Sequence, residues 1–336
     1  MNRRKAVAAL LALGAIGHPL LAQGQTPRRR SPFRIGWATN IFSEGERDRS
    51  LAQLRELGWT EGRDYTFVES GVLFGQGFDL AAERIVAENP DLIIVVNTAY
   101  ALAVQKRTAT IPIVMWVTGY PVEAGLANSL ARPGRNATGN SGYAGTGIWG
   151  KLLELLREVR PSLQRVGVML DYLPPAHPPE EVAPIRAELK GGAGALGLDV
   201  TIVEVTTRDR VKSDLAELAQ ARCEALILTT GPVLLPARQE VLEFALQHRI
   251  PTITDWDLLP DIKGLRSTMV YSPPYAELRR KTFEYVVRIL RDGAKPGELP
   301  IQRPSKFELT LYIESARAIG LTLPQSLLLR ADRVIE

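Results

Sequence analysis

Cysteine and histidine are scarce in this 336-residue chain, which has one Cys and three His. A single thiol builds no disulfide framework, and Cys223, in "AQARCEALILTT" just ahead of an apolar run, reads as a buried, inert side chain. No two histidines stand at metal-ligand spacing. His248 ends a helix, where a cation sits well against the dipole, and His177 with Glu180 and Glu181, in "PPAHPPEE", reads as a solvated loop. A nucleophile elbow is missing too: Gly139-Asn140-Ser141-Gly142-Tyr143 fails the Gly-x-Ser-x-Gly pattern at its last position. No basic stripe interleaved with aromatics marks a nucleic-acid surface. These absences lead us to expect no enzyme, no cofactor, no metal and no nucleic-acid partner.

What is present begins with "MNRRKAVAALLALGAIGHPLLAQGQTPRRR". Arg3, Arg4 and Lys5 precede an apolar run from Ala6 to Gly17, and Leu20-Leu21-Ala22 supplies a cleavage site, the three-part layout of a secretory signal. The run is broken by His18-Pro19 and falls short of the roughly 20 apolar residues of a spanning helix. We therefore expect residues 1–22 to be a signal peptide, 23–32 a flexible leader, and the mature chain to be periplasmic without a span of its own. No Cys follows the run, so a lipid-attached cysteine is not expected. Without the three leading basic residues, 38 basic side chains stand against 37 acidic ones, and the basic character of the whole chain nearly vanishes.

From Phe33 onward, short β-branched runs alternate with segments of helical period, the signature of a parallel sheet wrapped by helices. "FRIGWAT", "YTFVE", "DLIIVV" and "IPIVMWV" read as strands, with helices between them, such as the one carrying Leu51, Leu54 and Leu57 on one face. "ARPGRNATGNSGYAGTG" breaks the rhythm with Gly, Asn and Pro and no apolar run, so the passage between two lobes is expected there. A second series then follows, with strands "RVGVML", "DVTIVEV", "ALILTT" and "IPTITDW". The tail adds "LRSTMVYS" as strand, "YAELRRKTFEYVVRILRDG" as a long helix and "KFELTLYIESARAIG" as strand plus short helix. The expected fold is α/β, two Rossmann-like lobes with parallel sheets joined by a multi-crossing hinge. Lobe I would hold 33–139 plus about 264–297, and lobe II 140–262 plus about 298–336.

Gly145, Gly147 and Gly150 have G-x-G-x-x-G spacing, and Gly150-Lys151 hints at a phosphate loop. A dinucleotide fingerprint needs its first glycine at the tip of a buried strand, and "ATGNSGYA" offers none long enough. Leu152 replaces the hydroxyl residue a phosphate loop would need for magnesium. A nucleotide-dependent oxidoreductase using these glycines stays as a lesser alternative to a pliable inter-lobe passage.

In open α/β sheets ligands lie beyond the carboxyl ends of the strands. Those loops read "TNIF", "NTAY", "TGYP", "DYLP", "TTGP" and "DWD". Small hydroxyl and amide groups alternate with aromatics, a kit for a small polar molecule with an apolar part. Asp171 or Asp255 could take an amine, and helix starts could take a carboxylate.

The run "PIVMWVTGYPVEAGLANSLARPGRNATGNS" and the ending "PIQRPSKFELTLYIESARAIGLTLPQSLLLRADRVIE" resemble the tryptophan/tyrosine-type ABC-transporter substrate-binding proteins. The likeness runs from about Phe33 to Glu336, most pointedly at Gly125-Leu126 through Ser141, at Lys306-Phe307-Glu308-Leu309 and at "LLLRAD". It implies a type I periplasmic-binding-protein fold with three crossings, a small-molecule ligand in the cleft, and hand-over to an ABC permease in the inner membrane. A sensing module of the same fold is the other reading it allows. Carried over residue by residue, the cleft comprises Thr39, Asn40, Thr98, Ala99, Tyr120, Ser141 and Gly142 from the first half. Asp171, Tyr172, Thr230, Asp255 and, on the returning strand, Tyr271 come from the second. Two positions depart from the family: Tyr120 stands where an Asp is usual, and Asp171-Tyr172 where the loop is usually Asn-Pro-rich. The implied ligand is amino-acid-like or an aromatic or aliphatic carboxylate.

Overall fold

The computed structural model describes residues 32–37, 44–72, 77–143, 145–174, 177–256 and 266–336. The expected signal peptide, the leader through Ser31, and Thr39 and Asn40 lie outside them. Two sheets organise the chain. The first has five parallel strands in the order β2-β1-β3-β4-β5: β1 (Phe33–Trp37), β2 (Tyr65–Glu69), β3 (Leu92–Val95), β4 (Ile113–Thr118) and β5 (Ala137–Ser141). Helices α1 (Glu44–Glu56), α2 (Phe78–Ala87) and α3 (Thr98–Gln105) alternate with them. Strand β3, "LIIV", is buried along its whole length because helices cover both faces of the sheet.

The second sheet has seven strands in the order β12-β11-β10-β9-β8-β6-β7. These are β6 (Arg165–Asp171), β7 (Asp199–Val205), β8 (Ala225–Leu228), β9 (Thr252–Thr254), β10 (Met269–Ser272), β11 (Glu308–Tyr312) and β12 (Arg333–Ile335). All pairings are parallel except β10 with β11. Around it pack α4 (Ile148–Val159), α5 (Pro179–Leu196), α6 (Val211–Gln220) and α7 (Leu234–Gln247).

Strand β5 stands where the sequence pattern predicts only a loop. "ATGNS" is fully buried yet almost wholly polar, and its hydrogen bonds explain why that is tolerated. Thr138 donates to the Leu299 carbonyl at 2.8 Å, and Asn140 Nδ2 donates to the Trp116 carbonyl and Thr282 Oγ1, both at 3.0 Å. Leaving such groups unpaired would cost about 1–3 kcal/mol each. Gly139 holds φ +134°, and a methyl group there would overlap the Met115 backbone, so the close approach of β5 to β4 requires glycine.

Lobe boundaries differ from expectation in three places. Asn140 and Ser141 belong to the first sheet, so the first passage follows Ser141. Met269–Ser272 pairs with β9 and β11 and sits in the second sheet; the chain returns to lobe I only with α8 (Tyr275–Leu290), which packs on β4, β5 and α1. Leu299 to Gln302 stays with lobe I, since Gln302 pairs beside Asn140 and its N–H donates to the Gly139 carbonyl at 2.9 Å. The chain thus passes between lobes after β5, after β10 and between Gln302 and β11. The glycine cluster spans the first passage. Because β5 and α4 belong to different sheets, the strand-turn-helix geometry of a dinucleotide site is not formed there. Gly150 instead serves helix packing: a methyl on Gly192 of α5 would sit 3.0 Å from the Gly150 Cα of α4.

Candidate functional site

A cavity of about 130 Å³ lies where the carboxyl ends of strands from both sheets face each other. Its size is comparable to the ~150 Å³ engineered cavity that holds benzene. From lobe I come Asn97 and Thr98 at the start of α3 and Val117, Thr118 and Gly119 at the end of β4. Lobe II gives Asp171 after β6, Thr229 to Pro232 after β8, and Asp255 and Trp256 after β9. His177, Glu181, Val182 and Ile185 enter from α5 and its lead, and Tyr143 and Trp149 from the first passage and α4.

The lobe I wall is neutral. Asn97 Oδ1 accepts the Tyr100 N–H at 2.8 Å, capping α3, and Thr98 Oγ1 accepts the Gly119 N–H at 3.1 Å. Ser141 supports this wall from behind, its hydroxyl donating to the Gly119 carbonyl at 2.8 Å.

The lobe II wall is acidic. Asp171 Oδ2 accepts the N–H groups of Val233 at 2.8 Å and Leu234 at 2.7 Å, so one oxygen caps α7. A methyl on Gly231 would overlap this carboxyl group, which explains the glycine in "TTGP". Asp255 Oδ1 accepts the Thr230 N–H at 3.0 Å and its Oδ2 the Tyr143 hydroxyl at 2.9 Å. Glu181, in the first turn of α5, crosses to lobe I, where the Thr98 hydroxyl and the Tyr120 backbone N–H hydrogen-bond it. A methyl on Gly119 would stand 2.7 Å from Glu181 Oε1.

Burial governs the protonation of these groups, because a low-dielectric site disfavours charge. It pushes Asp171 up to about 7 against the pull of the two capping N–H groups. Glu181 likewise rises to about 7, held back by its bonds from Thr98 and Tyr120, and Asp255 to about 6, held back by Tyr143 and Thr230. Burial also lowers His177 to about 4, so its imidazole is neutral and Nδ1 accepts the Leu173 N–H at 3.2 Å. Among the described residues that line the cavity there is no Lys or Arg.

Of the expected site residues, the structure brings Thr98, Asp171, Thr230 and Asp255 together on the cavity wall. Ala99 is buried in the core of lobe I, and the Gly142 N–H donates to the Thr118 carbonyl at 2.7 Å. Tyr172 packs in the lobe II core. Tyr271 stacks on Phe307 with centroids 5.4 Å apart and does not line the cavity. Tyr120 is buried across the lobe boundary: its hydroxyl donates to Glu188 Oε1 at 3.2 Å and accepts the Trp149 indole N–H at 3.1 Å. Sequence reasoning missed Tyr143, Trp149 and Glu181. Glu181 was expected in a solvated loop, although the Pro179-Glu180-Glu181 run is an acidic first helical turn that could have flagged a helix start.

The model of a family described as "ABC transporter substrate binding protein" matches residues 74–335. A tyrosine-binding protein of Clostridioides difficile (strain R20291) is 25% identical over 241 residues, covering 71% of this chain. The match spans 66% of that relative's own length. Two solved structures share the fold at a TM-score of 0.78. One is a conserved domain protein from Vibrio cholerae, 23% identical and covering 90% of this chain and 99% of its own. The other is an ABC domain from Streptococcus pneumonia in complex with L-Trp, 19% identical and covering 91% and 100%. A ligand-free, open substrate binding protein from Clostridium difficile follows at a TM-score of 0.62, with 23% identity and coverage of 90% and 99%.

Proposed function

The chain belongs to the ABC transporter substrate binding protein family, and from that premise we propose that it is the extracytoplasmic solute-binding component of an ABC importer. It captures a small, amine-bearing, amino-acid-like solute between its lobes and presents the closed form to a permease. The observation that carries this reading is the cavity between the two sheets, bounded by neutral groups of lobe I and buried carboxylates of lobe II. Tyrosine and tryptophan, named for relatives of this chain, are the starting candidates. A carboxylate without an amine fits less well, because Asp171, Glu181 and Asp255 would repel it, no described lining residue is Lys or Arg, and burial keeps His177 neutral.

Capture follows from two-state linkage: a ligand touching both lobes favours the closed form by its extra contacts there. Driving a mostly open population to a mostly closed one takes about 5.5 kcal/mol of differential binding, out of about 8 for a micromolar ligand. The protein supports part of the closure itself, through Glu181 with Thr98 and Tyr120 with Trp149 and Glu188. Delivery by the N-terminal signal places the mature chain in the periplasm. A thermal-shift screen of amino acids, aromatic amines, aromatic acids and dicarboxylates, followed by scattering with the best hit, tests the reading. A stabilising solute that contracts the radius of gyration is expected; no stabilising solute, or no contraction, refutes it.

A further inference from the structure

Two carboxylate oxygens in the cavity lack partners among the described residues: Asp171 Oδ1 and Glu181 Oε2. Their residues are 8% and 7% exposed, so water offers little compensation. A buried acceptor without a donor is costly, and a buried charge without a counter-charge more so. Both oxygens call for N–H donors carrying positive charge.

The place for a ligand carboxylate is meanwhile taken. The α3 start with its Thr98 hydroxyl, and the Tyr120 N–H beside it, are the groups an amino acid's carboxylate would use. Glu181 holds both from lobe II. Its carboxylate stands where the ligand's would, on a helix that moves with the opposite jaw.

We propose that the cavity selects an amine without a carboxylate, the decarboxylated counterpart of an aromatic amino acid, with Glu181 supplying from the protein the carboxylate that such a ligand lacks. The ammonium meets Glu181 Oε2, and the ring lies among Tyr143, Trp149 and Trp256. An amino acid would have to displace Glu181 from Thr98 and then place two carboxylates in one buried site. This inference rests on the solute-binding reading above and narrows it.

The test is calorimetric titration of the full chain at pH 8 with tyramine, phenethylamine, tyrosine and phenylalanine, in the wild type, Glu181→Gln and Glu181→Ala. Each amine should bind at least tenfold tighter than its amino acid. Glu181→Gln keeps an acceptor for Thr98 and Tyr120 but loses the charge, and should weaken tyramine at least tenfold. Glu181→Ala vacates the anion position and should narrow or invert the preference for tyramine over tyrosine. If either variant fails to fold, the wild-type ratio alone decides. Equal or tighter binding of the amino acids overturns the inference and leaves the solute-binding reading standing. Absence of heat with all four probes also overturns it, and the solute screen then judges the broader reading separately.

Discussion

The two walls of the cavity are made from the same architectural part, the loop after a parallel strand, yet carry opposite chemistry. Lobe I presents hydroxyl, amide and backbone N–H groups, whereas lobe II presents three carboxylates. The difference lies in where each carboxylate is anchored. Asp171 and Asp255 stand at strand ends of the second sheet and are held by backbone N–H groups of their own lobe. Glu181 alone reaches across. A binding protein built this way divides its labour: the neutral jaw shapes and orients, and the acidic jaw supplies the charge that a cationic group requires. On the proposed reading, closure brings that charge to the ligand, so affinity and conformational change are set mainly by lobe II.

The sharpest way to break this comparison is to remove one acid and one hydroxyl. A hydrogen bond to a charged group contributes about 1.5–3 kcal/mol, or roughly ten- to hundredfold in affinity. Asp171→Ala should therefore weaken an amine ligand by up to about a hundredfold, and lower the melting temperature as well through loss of the α7 cap. Thr98→Val, on the neutral wall, should cost no more than about tenfold. Calorimetry on both variants checks this, and equal losses would erase the asymmetry.

Proton linkage gives the next largest effect. Asp171 and Glu181 titrate near 7 and Asp255 near 6 in the folded chain, against about 4 for unfolded carboxyls. Raised carboxyl values favour the folded state while the groups are protonated. Their contribution is whole below about pH 4 and is lost as pH climbs through 6 to 7. The ligand-free protein should accordingly melt lower at pH 8 than at pH 5. Among the other titratable groups facing this set, His177 works against the trend, since its value falls from 6.5 to about 4 on folding and that cost is relieved as pH rises to about 6.5. One imidazole does not outweigh three carboxyls, and burial raises the Tyr143 phenol so it stays protonated. An amine needs the ionised carboxylates, so its affinity should rise at least tenfold from pH 5.5 to 8 and its binding should release protons. Calorimetry in buffers of different ionisation enthalpy reads that release; affinity that is flat with pH would show the acids take no part.

Much of this was legible in the sequence, for reasons that also explain the failures. The place of Thr98, Asp171, Thr230 and Asp255 on the cavity wall was legible because a parallel strand's carboxyl end is visible as the end of an apolar run. Strand β5 escaped because "ATGNS" has no apolar pattern; its burial depends on partners such as Thr282 and Leu299, more than a hundred residues away. Glu181 escaped because a helix's first turn can be read locally, but the surface it faces is fixed by how α5 packs on α4. Tyr120 looked like a ligand contact from its loop, and only the position of Trp149 and Glu188 turns it into the opposite lobe.

Tyr120 also offers a more modest test of whether the lobes hold themselves together. Tyr120→Phe removes the acceptor for the buried Trp149 indole N–H and the donor to Glu188, with little change in volume. Leaving a buried donor unpaired costs about 1–3 kcal/mol. Because the phenol spans the boundary, part of that loss should appear as opening, with a larger radius of gyration for the ligand-free variant than for the wild type. A lower melting temperature at unchanged radius would assign Tyr120 to packing within the closed form and not to closure.

The smallest effect should come from Tyr271, the expected site residue on the strand that returns to the second sheet. Its ring is half-buried and lies nearly parallel to Phe307, with an interplanar angle of 21°. It packs against the lobe II core and is not among the described residues that line the cavity. Tyr271→Phe keeps the stacked ring and removes only the hydroxyl. Ligand affinity should stay within about twofold, and stability within about 0.5 kcal/mol, as for a substitution that breaks no buried network. Titration beside the Asp171→Ala variant makes the contrast direct. A tenfold loss at Tyr271 would mean that the ligand reaches past the acidic jaw to β10, and the division between a neutral and a charged wall would then be drawn around the wrong volume.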